Sequence, residues 1–129
     1  MILSVSRRTD IPAFYSDWFL NRIKEGYLCV RNPLPMYHHN VSKISLNKDV
    51  IDCIVFWTKN AKPMLDKLDQ LSDYKYYFQY TINGYGIDIE PVMGKMLDQN
   101  IQTFQELSEK IGSDKVIWRY DPIIFTDIY

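Results

Sequence analysis

The chain has 129 residues and a mass of 15.4 kDa, a length that suits one domain able to bury a core without disulfides. A hydrophobic fraction of 47% and an aromatic fraction of 15% exclude a disordered tail. The formal net charge of -1 lacks the broad positive field that duplex nucleic acid binding requires. A local basic pocket is still compatible with that charge.

The first apolar run, Met1 to Val5, predicts a short buried strand. No basic stretch precedes this run, and it is too short for a signal peptide or a membrane span. We therefore predict a cytoplasmic protein with no membrane partner. A helix follows, since Ser16 can cap it, Asp17 favours its first turn and Gly26 ends it.

A hairpin-like excursion is predicted next, with strands at Tyr27 to Arg31 and Val41 to Leu46. The loop between them, Asn32 to Asn40, contains two prolines and is either a functional flap or a mobile segment. Its adjacent His38 and His39 lack a carboxylate or cysteine at metal-ligand spacing, so no metal site is predicted there.

The rest of the chain alternates strands with helices. Val50 to Trp57 is the most continuous apolar run, as in a strand covered on both faces. The segment from Asn83 to Pro91 is predicted to form a loop over the strand ends. The other predicted elements are a helix capped by Asn60 and running through Leu71, a strand from Tyr74 to Ile82, a helix from Leu97 to Ile111 ended by Gly112, and a strand from Lys115 to Tyr120.

This alternation predicts an α/β fold with right-handed crossovers and a parallel sheet. A (β/α)₈ barrel takes about 250 residues, and four βα units need about half of that. We expect a partial (β/α) barrel-like parallel sheet with a hairpin-like insertion, an incomplete domain in which residues 1–129 form the N-terminal part of a larger barrel-like domain. An open α/β sheet is the competing architecture. In either case the last strand leaves an open sheet edge through which two copies could associate.

Polar side chains cluster where four of these strands end. Ligands of parallel α/β proteins gather at the carboxyl ends of strands, so these clusters predict one shared site for a small-molecule ligand. An arginine fork suits a phosphate or carboxylate, and an indole face suits a ring. The candidate ligand-binding residues are Arg7, Arg8, Asp10, Trp57, Lys59, Gln79, Arg119 and Asp121.

Each candidate also has a purely structural interpretation. Arg7 or Arg8 could pair with Asp10 to shape a loop, and Arg119 could pair only with Asp121, which shares its face of the strand. Trp57 could lie in the core, and Asn60 is better explained as a helix cap than as a ligand. Asp88 and Glu90 fit acid-base groups, although a solvated loop is the ordinary reading of such a pair.

Cys29 and Cys53 are the only cysteines, and their separation suggests neither a zinc knuckle nor a redox dithiol. Both are interpreted as small buried hydrophobic residues. An iron-sulfur cluster held by cysteines normally takes three or four of them, so this chain cannot supply one alone.

Three segments carry a family resemblance: Ser4 to Ala13, Val55 to Asn60, and Val116 to Ile123. Together they resemble a bacterial family of uncharacterised proteins, a domain of unknown function, and the likeness covers essentially the whole chain. Members of that family are longer, and their C-terminal part carries a cysteine cluster similar to that of radical S-adenosylmethionine enzymes. The resemblance implies a barrel-like fold, with an iron-sulfur cluster and S-adenosylmethionine as possible cofactors of a full-length protein. The cysteine cluster is absent here.

Three functional hypotheses follow. The first is the N-terminal portion of a radical S-adenosylmethionine-like enzyme, inactive as isolated, with the candidate residues on its substrate or cofactor side. The second is a stand-alone binding module for a small anionic ligand such as a nucleotide. The third is a remnant that folds by association through its open edge.

Overall fold

The computed structural model describes residues 1–34, 36 and 40–128, so the prediction made for His38 and His39 lies outside the described residues. No described helix is long and apolar enough to cross a membrane. The strands are β1 (Ile2–Val5), β2 (Tyr27–Arg31), β3 (Val41–Ser45), β4 (Cys53–Thr58), β5 (Tyr76–Thr81) and β6 (Val116–Arg119). The α-helices are α1 (Ile11–Phe14), α2 (Ser16–Glu25), α3 (Lys62–Leu65) and α4 (Leu97–Ile111), with short 3₁₀ segments at Leu68–Leu71, Met93–Met96 and Ser113–Lys115.

Four strands form a parallel sheet in the order β1-β4-β5-β6, and β2 with β3 forms a separate antiparallel hairpin. Each strand of the sheet therefore lies beside the next sheet strand along the chain, as in a (β/α) barrel. The predicted α/β class, the parallel sheet and the hairpin insertion are confirmed. This strand order is compatible with a partial barrel-like arrangement.

The stagger of the strands agrees with that description. Val5, the last residue of β1, lies level with Phe56 and Phe78, and then with Val116, the first residue of β6. Three strand-to-strand pairings lead from β1 to β6. Over these three pairings, both the first and the last residues of the strands are displaced by three residues along the strand direction. One residue per strand is the displacement that an eight-stranded barrel with a shear of about 8 requires.

The two faces of the sheet differ. The main hydrophobic cluster lies on one side, where Phe56, Phe78 and Tyr80 are fully buried among residues of α2, α3 and α4. The opposite face is not packed against that cluster: its outermost residues Ile2 and Ile117 are 68% and 45% exposed, while Val55 and Thr81 near its centre are buried. A parallel sheet normally has both faces covered. No helix or strand among the described residues covers this second face, which we call the open face.

Local differences from the predicted elements have physical explanations. Ser16 does not cap α2, because its hydroxyl donates to the carbonyl of Pro63. The helix predicted through Leu71 is divided into α3 and a 3₁₀ segment that still bury their leucines. β4 begins at Cys53 rather than Val50, whose amide donates to the Asn47 carbonyl in a turn.

The interpretation of both cysteines as buried is wrong. Cys29 is exposed and Cys53 only partly buried. In β2 the buried position is Leu28, so alternation turns the next side chain outward.

Candidate functional site

Asp10 fastens the loop after β1 to the end of β4. Its Oδ1 accepts from the Ala13 amide at 3.0 Å, which caps α1, and from the Thr58 hydroxyl at 2.8 Å. Its Oδ2 accepts from the Lys59 amide at 2.7 Å. All three hydrogen bonds to this carboxylate come from protein donors. Asp10, predicted to bind a ligand, therefore positions the backbone in this structure. It holds the carboxyl ends of two neighbouring strands together.

The loop that Asp10 anchors begins with an unusual backbone. Ser6 has a φ of 84°, in the left-handed region that residues other than glycine rarely adopt. Its hydroxyl accepts from the Ile11 amide at 3.1 Å, which ties the turn to the start of α1. The chain thereby leaves β1 sharply, and Arg7 and Arg8 follow on the surface.

Trp57, Arg119 and Asp121 meet at the carboxyl end of the open face. The Arg119 guanidinium lies over the Trp57 ring, with its Cζ 4.6 Å from the ring centroid. Its Nη2 donates to the Asp121 carboxylate at 2.9 Å. The predicted pairing of Arg119 with Asp121 is present, and the guanidinium keeps further N–H donors beyond this bond. Stacking on the indole holds the cation in place.

Gln79 and Ser4 complete this group. Gln79 is level with Trp57 in the sheet, between the strands that carry the indole and Arg119. Its amide is partly exposed and has no hydrogen-bond partner among the described residues. The Trp57 indole N–H donates to the Ser4 hydroxyl at 3.2 Å, which orients the ring along the sheet. A half-buried amide, an indole face and an arginine fork thus share one surface.

The Lys59 side chain does not join the cluster of Trp57, Gln79 and Arg119. Its ammonium group forms an ion pair with Glu90, whose side chain is only 12% exposed. The same Glu90 oxygen accepts from the Asn83 amide at 3.1 Å, and Asn83 also exchanges two hydrogen bonds of 3.0 Å with the backbone of Asp121. The reading of Glu90 as a solvated loop carboxylate is therefore wrong. The predicted loop over the strand ends is confirmed. These hydrogen bonds hold the loop over the carboxyl ends of β5 and β6.

Tyr85 secures the same loop to the segment after β6. Its hydroxyl donates to the Pro122 carbonyl at 2.7 Å and accepts from the Ile124 amide at 2.9 Å. The Tyr120 ring stands edge to face against it, 5.5 Å between centroids. The hydrogen bond with Tyr85 raises the pKa of the Tyr120 phenol.

Arg7 and Arg8 belong to a second location, a cleft of about 840 Å³ between β1, the first helices and the hairpin. Arg8 Nη2 donates to the carbonyl of Arg31 at 2.7 Å, which joins the loop to β2. Neither Arg7 nor Arg31 forms an ion pair with a described residue. Three arginines therefore stand at one end of an apolar cleft, here called the arginine cleft. Its apolar lining includes Leu3, Val5, Trp18, Leu28, Val30 and Ile44.

A smaller cavity of about 280 Å³ lies on the helix side, between α3 and α4. Behind it, the buried Tyr80 hydroxyl donates to the Asn100 side chain and accepts from the Ala61 amide at 3.4 Å. Burial raises the pKa of Tyr80 well above its usual range. The Tyr80 hydroxyl and the Asn100 side-chain oxygen are thus satisfied by protein partners behind the cavity.

The eight predicted residues thus fall into three groups. Trp57, Gln79, Arg119 and Asp121 share the open face; Asp10 and Lys59 secure strand ends; Arg7 and Arg8 border the arginine cleft. Sequence reasoning did not single out Ser4, Asn83 or Arg31. Ser4 could have been predicted from the sequence, because alternation along β1 places Ser4 on the open face with Ile2.

A cysteine-ligated iron-sulfur cluster does not fit this chain. Cys29 lies in the hairpin and Cys53 in the four-stranded sheet, and such a cluster takes three or four cysteines. Among the described residues no group of three or more His, Cys, Asp or Glu side chains is placed to hold a metal ion.

The fold and the site define an α/β protein with a four-stranded parallel sheet and a polar cluster at the carboxyl end of its open face. The chain belongs to the family described as Domain of unknown function (DUF1848), whose model matches residues 2–129. No curated protein and no solved structure matches the chain.

Proposed function

We propose that this chain forms the substrate-side or cofactor-side wall of a barrel-like α/β enzyme resembling the radical S-adenosylmethionine class. The observation that carries the proposal is the open face, where Trp57, Gln79 and Arg119 converge at the carboxyl end of the strands. In (β/α) barrels this end of the strands carries the active site. The uncovered face corresponds to the interior of such a barrel.

The chemistry of the cluster favours a ligand that joins an anionic group to a planar ring. Arg119 has one N–H engaged by Asp121 and further donors available for a phosphate or carboxylate. The Gln79 amide can donate to and accept from the edge of a ring, and the indole of Trp57 supplies an apolar surface beside it. A nucleotide combines these features.

Titration calorimetry with ADP tests the site. Losing charge-assisted bonds worth about 1.5–3 kcal/mol weakens binding roughly 10- to 100-fold, which is the expectation for Arg119→Ala. Lys115→Ala removes an exposed cation before the opposite end of the same strand and serves as the matched control. Equal affinities for wild type and Arg119→Ala would show that the nucleotide does not use this cluster.

The isolated chain is expected to be catalytically inactive. With two cysteines in different sheets it has no complete ligand set for an iron-sulfur cluster. Anaerobic incubation with iron and sulfide should therefore leave the protein without stable brown colour after desalting. A stable cluster on this chain would overturn the expectation of inactivity, whatever the outcome of the nucleotide titration.

A stand-alone binding module for a small anion is the second candidate, and the arginine cleft favours it. Arg7 and Arg31 have no described carboxylate partner, so their charge is available to a ligand. This candidate predicts saturable nucleotide binding that Arg7→Ala weakens at least as much as Arg119→Ala does. Binding that is insensitive to Arg7→Ala would leave the open face as the site.

A further inference from the structure

The backbone of Asp121 is held by a single side chain. Asp121 follows the last residue of β6, Arg119, by two positions, so no strand pairing fixes its place. The Asn83 side-chain oxygen accepts from the Asp121 amide at 3.0 Å, and the Asn83 nitrogen donates to the Asp121 carbonyl at 3.0 Å. Asn83 itself is buried, with an exposed fraction of 4%. Asn83 therefore sets where the Asp121 carboxylate stands.

The Asp121 carboxylate in turn orients Arg119. The Arg119 guanidinium donates to this carboxylate while it stacks on the Trp57 ring. The Asp121 side chain is exposed, and an ion pair between freely moving exposed side chains orients them only weakly. An arginine side chain has many rotamers, and a carboxylate on a fixed backbone restricts them far more than a mobile one does. The direction of the free Arg119 donors therefore depends on Asn83.

Asn83 is itself fixed by the loop after β5. Its nitrogen also donates to Glu90 at 3.1 Å, and Glu90 forms the ion pair with Lys59 at the end of β4. Because Lys59 follows Trp57 closely in the chain, these contacts form a closed ring. Its members in order are Trp57, Lys59, Glu90, Asn83, Asp121 and Arg119, whose guanidinium returns to the indole. Removing one member leaves the others less restrained.

We propose that Asn83 is the positioning residue of the ligand site on the open face, and that it joins the loop 83–91 to that site as one cooperative unit. The inference rests on the proposed function and adds to it a residue that acts through Asp121 and Arg119 rather than on the ligand. With Asn83 in place, the Arg119 donors have one direction before the ligand arrives. Binding then does not have to order them, which favours affinity.

The first test uses the ¹⁵N-labelled chain without ligand. The indole N–H resonance of Trp57 reports the cation above its ring, and Arg119→Ala gives the position of this resonance without that cation. Asn83→Ala should move the resonance most of the way to that position. Asn100→Ala is the matched control, because Asn100 is also a buried asparagine, at 6% exposure, but bonds to Tyr80 on the helix side. The control should leave the Trp57 resonance in place.

An unmoved Trp57 resonance in folded Asn83→Ala would overturn the proposal. Asn83→Asp provides the same comparison if the alanine variant does not fold. It keeps an oxygen for the Asp121 amide but has no N–H for the Asp121 carbonyl or for Glu90, so a smaller shift in the same direction is expected.

Titrations with ADP and with adenosine give the second test. If Arg119 has the binding-competent direction in about one tenth of the Asn83→Ala molecules, the affinity for ADP falls about tenfold. Adenosine has no phosphate for Arg119, so its affinity should be the same in wild type and variant. A residue that only stabilised the fold would weaken both ligands alike, and that result would contradict the positioning role. By linkage, ADP should also slow amide hydrogen exchange in the loop 83–91 of the wild type.

The positioning role and the nucleotide site fail by different results. A wild-type chain that does not bind ADP refutes the nucleotide site, while a Trp57 resonance moved by Asn83→Ala still supports the positioning of Arg119. A wild-type chain that binds ADP no more tightly than Asn83→Ala does refutes the positioning role and leaves the nucleotide site in place.

Discussion

Replacement of Asp10 tests whether its carboxylate stabilises the backbone around it or binds a ligand. Asp10→Ala removes the cap of α1, worth about 1 kcal/mol, and the bonds from Thr58 and Lys59 to the carboxylate. Each of these two bonds contributes about 1.5 kcal/mol, the lower end of the range for hydrogen bonds to a charged group. The expected loss is therefore about 4 kcal/mol of a total stability of roughly 5–15 kcal/mol.

Urea denaturation followed by tryptophan fluorescence measures that loss, and thermal unfolding should show a midpoint lower by roughly 15 °C. Asp10→Asn keeps an oxygen for the helix cap but turns an amide nitrogen toward the Lys59 donor, so about half of the loss is expected. Asp49→Ala, at an exposed turn position before β4, is the matched control. An Asp10→Ala protein within about 1 kcal/mol of wild type that no longer bound ADP would refute the positioning role.

Two further predictions concern buried polar groups. Folding favours the protonated phenol of Tyr80, because burial raises its pKa above the unfolded value of about 10. This contribution is complete below that pH and is lost as the pH rises further, so Tyr80→Phe should flatten the alkaline decline in unfolding free energy by up to about 1.4 kcal/mol per pH unit. At neutral pH the same variant should cost roughly 1–2 kcal/mol, because Asn100 loses its donor. Glu90→Gln should speed amide hydrogen exchange in the loop 83–91 with a global loss under about 1 kcal/mol, since Lys59 is 42% exposed. The control Glu109→Gln, on the exposed surface of α4, should leave hydrogen exchange in this loop unchanged. Equal protection of the loop in both variants would contradict the conclusion that Glu90 holds the loop in place.

The sheet could be predicted because its signals are local. Alternation along β5 places Phe78 and Tyr80 on one face and Gln79 on the other, in agreement with the burial of the first two and the partial exposure of Gln79. Gly112, with a φ of 99°, ends α4 at the predicted position. Strand order then follows from the rule that consecutive parallel strands tend to be neighbours.

The site was only partly predictable because its groupings depend on loop paths. The pair of Lys59 with Glu90 joins positions 31 residues apart through the loop after β5, and the bond from Arg8 to Arg31 depends on where the hairpin folds back. The role of Asp10 did have a sequence signal. An aspartate followed two residues later by a proline is a helix start, and Pro12 lies in the first turn of α1.

The most direct test of the account is a nuclear magnetic resonance titration of the ¹⁵N-labelled chain with ADP. The central claim is that the carboxyl end of the open face binds the ligand, and Trp57, Gln79 and Arg119 each carry a side-chain N–H there. The account predicts that the indole resonance of Trp57 and the amide resonances of Gln79 shift first and saturate together. Shifts confined to the helix-side cavity around Asn60 and Asn100, or to the arginine cleft, would contradict it.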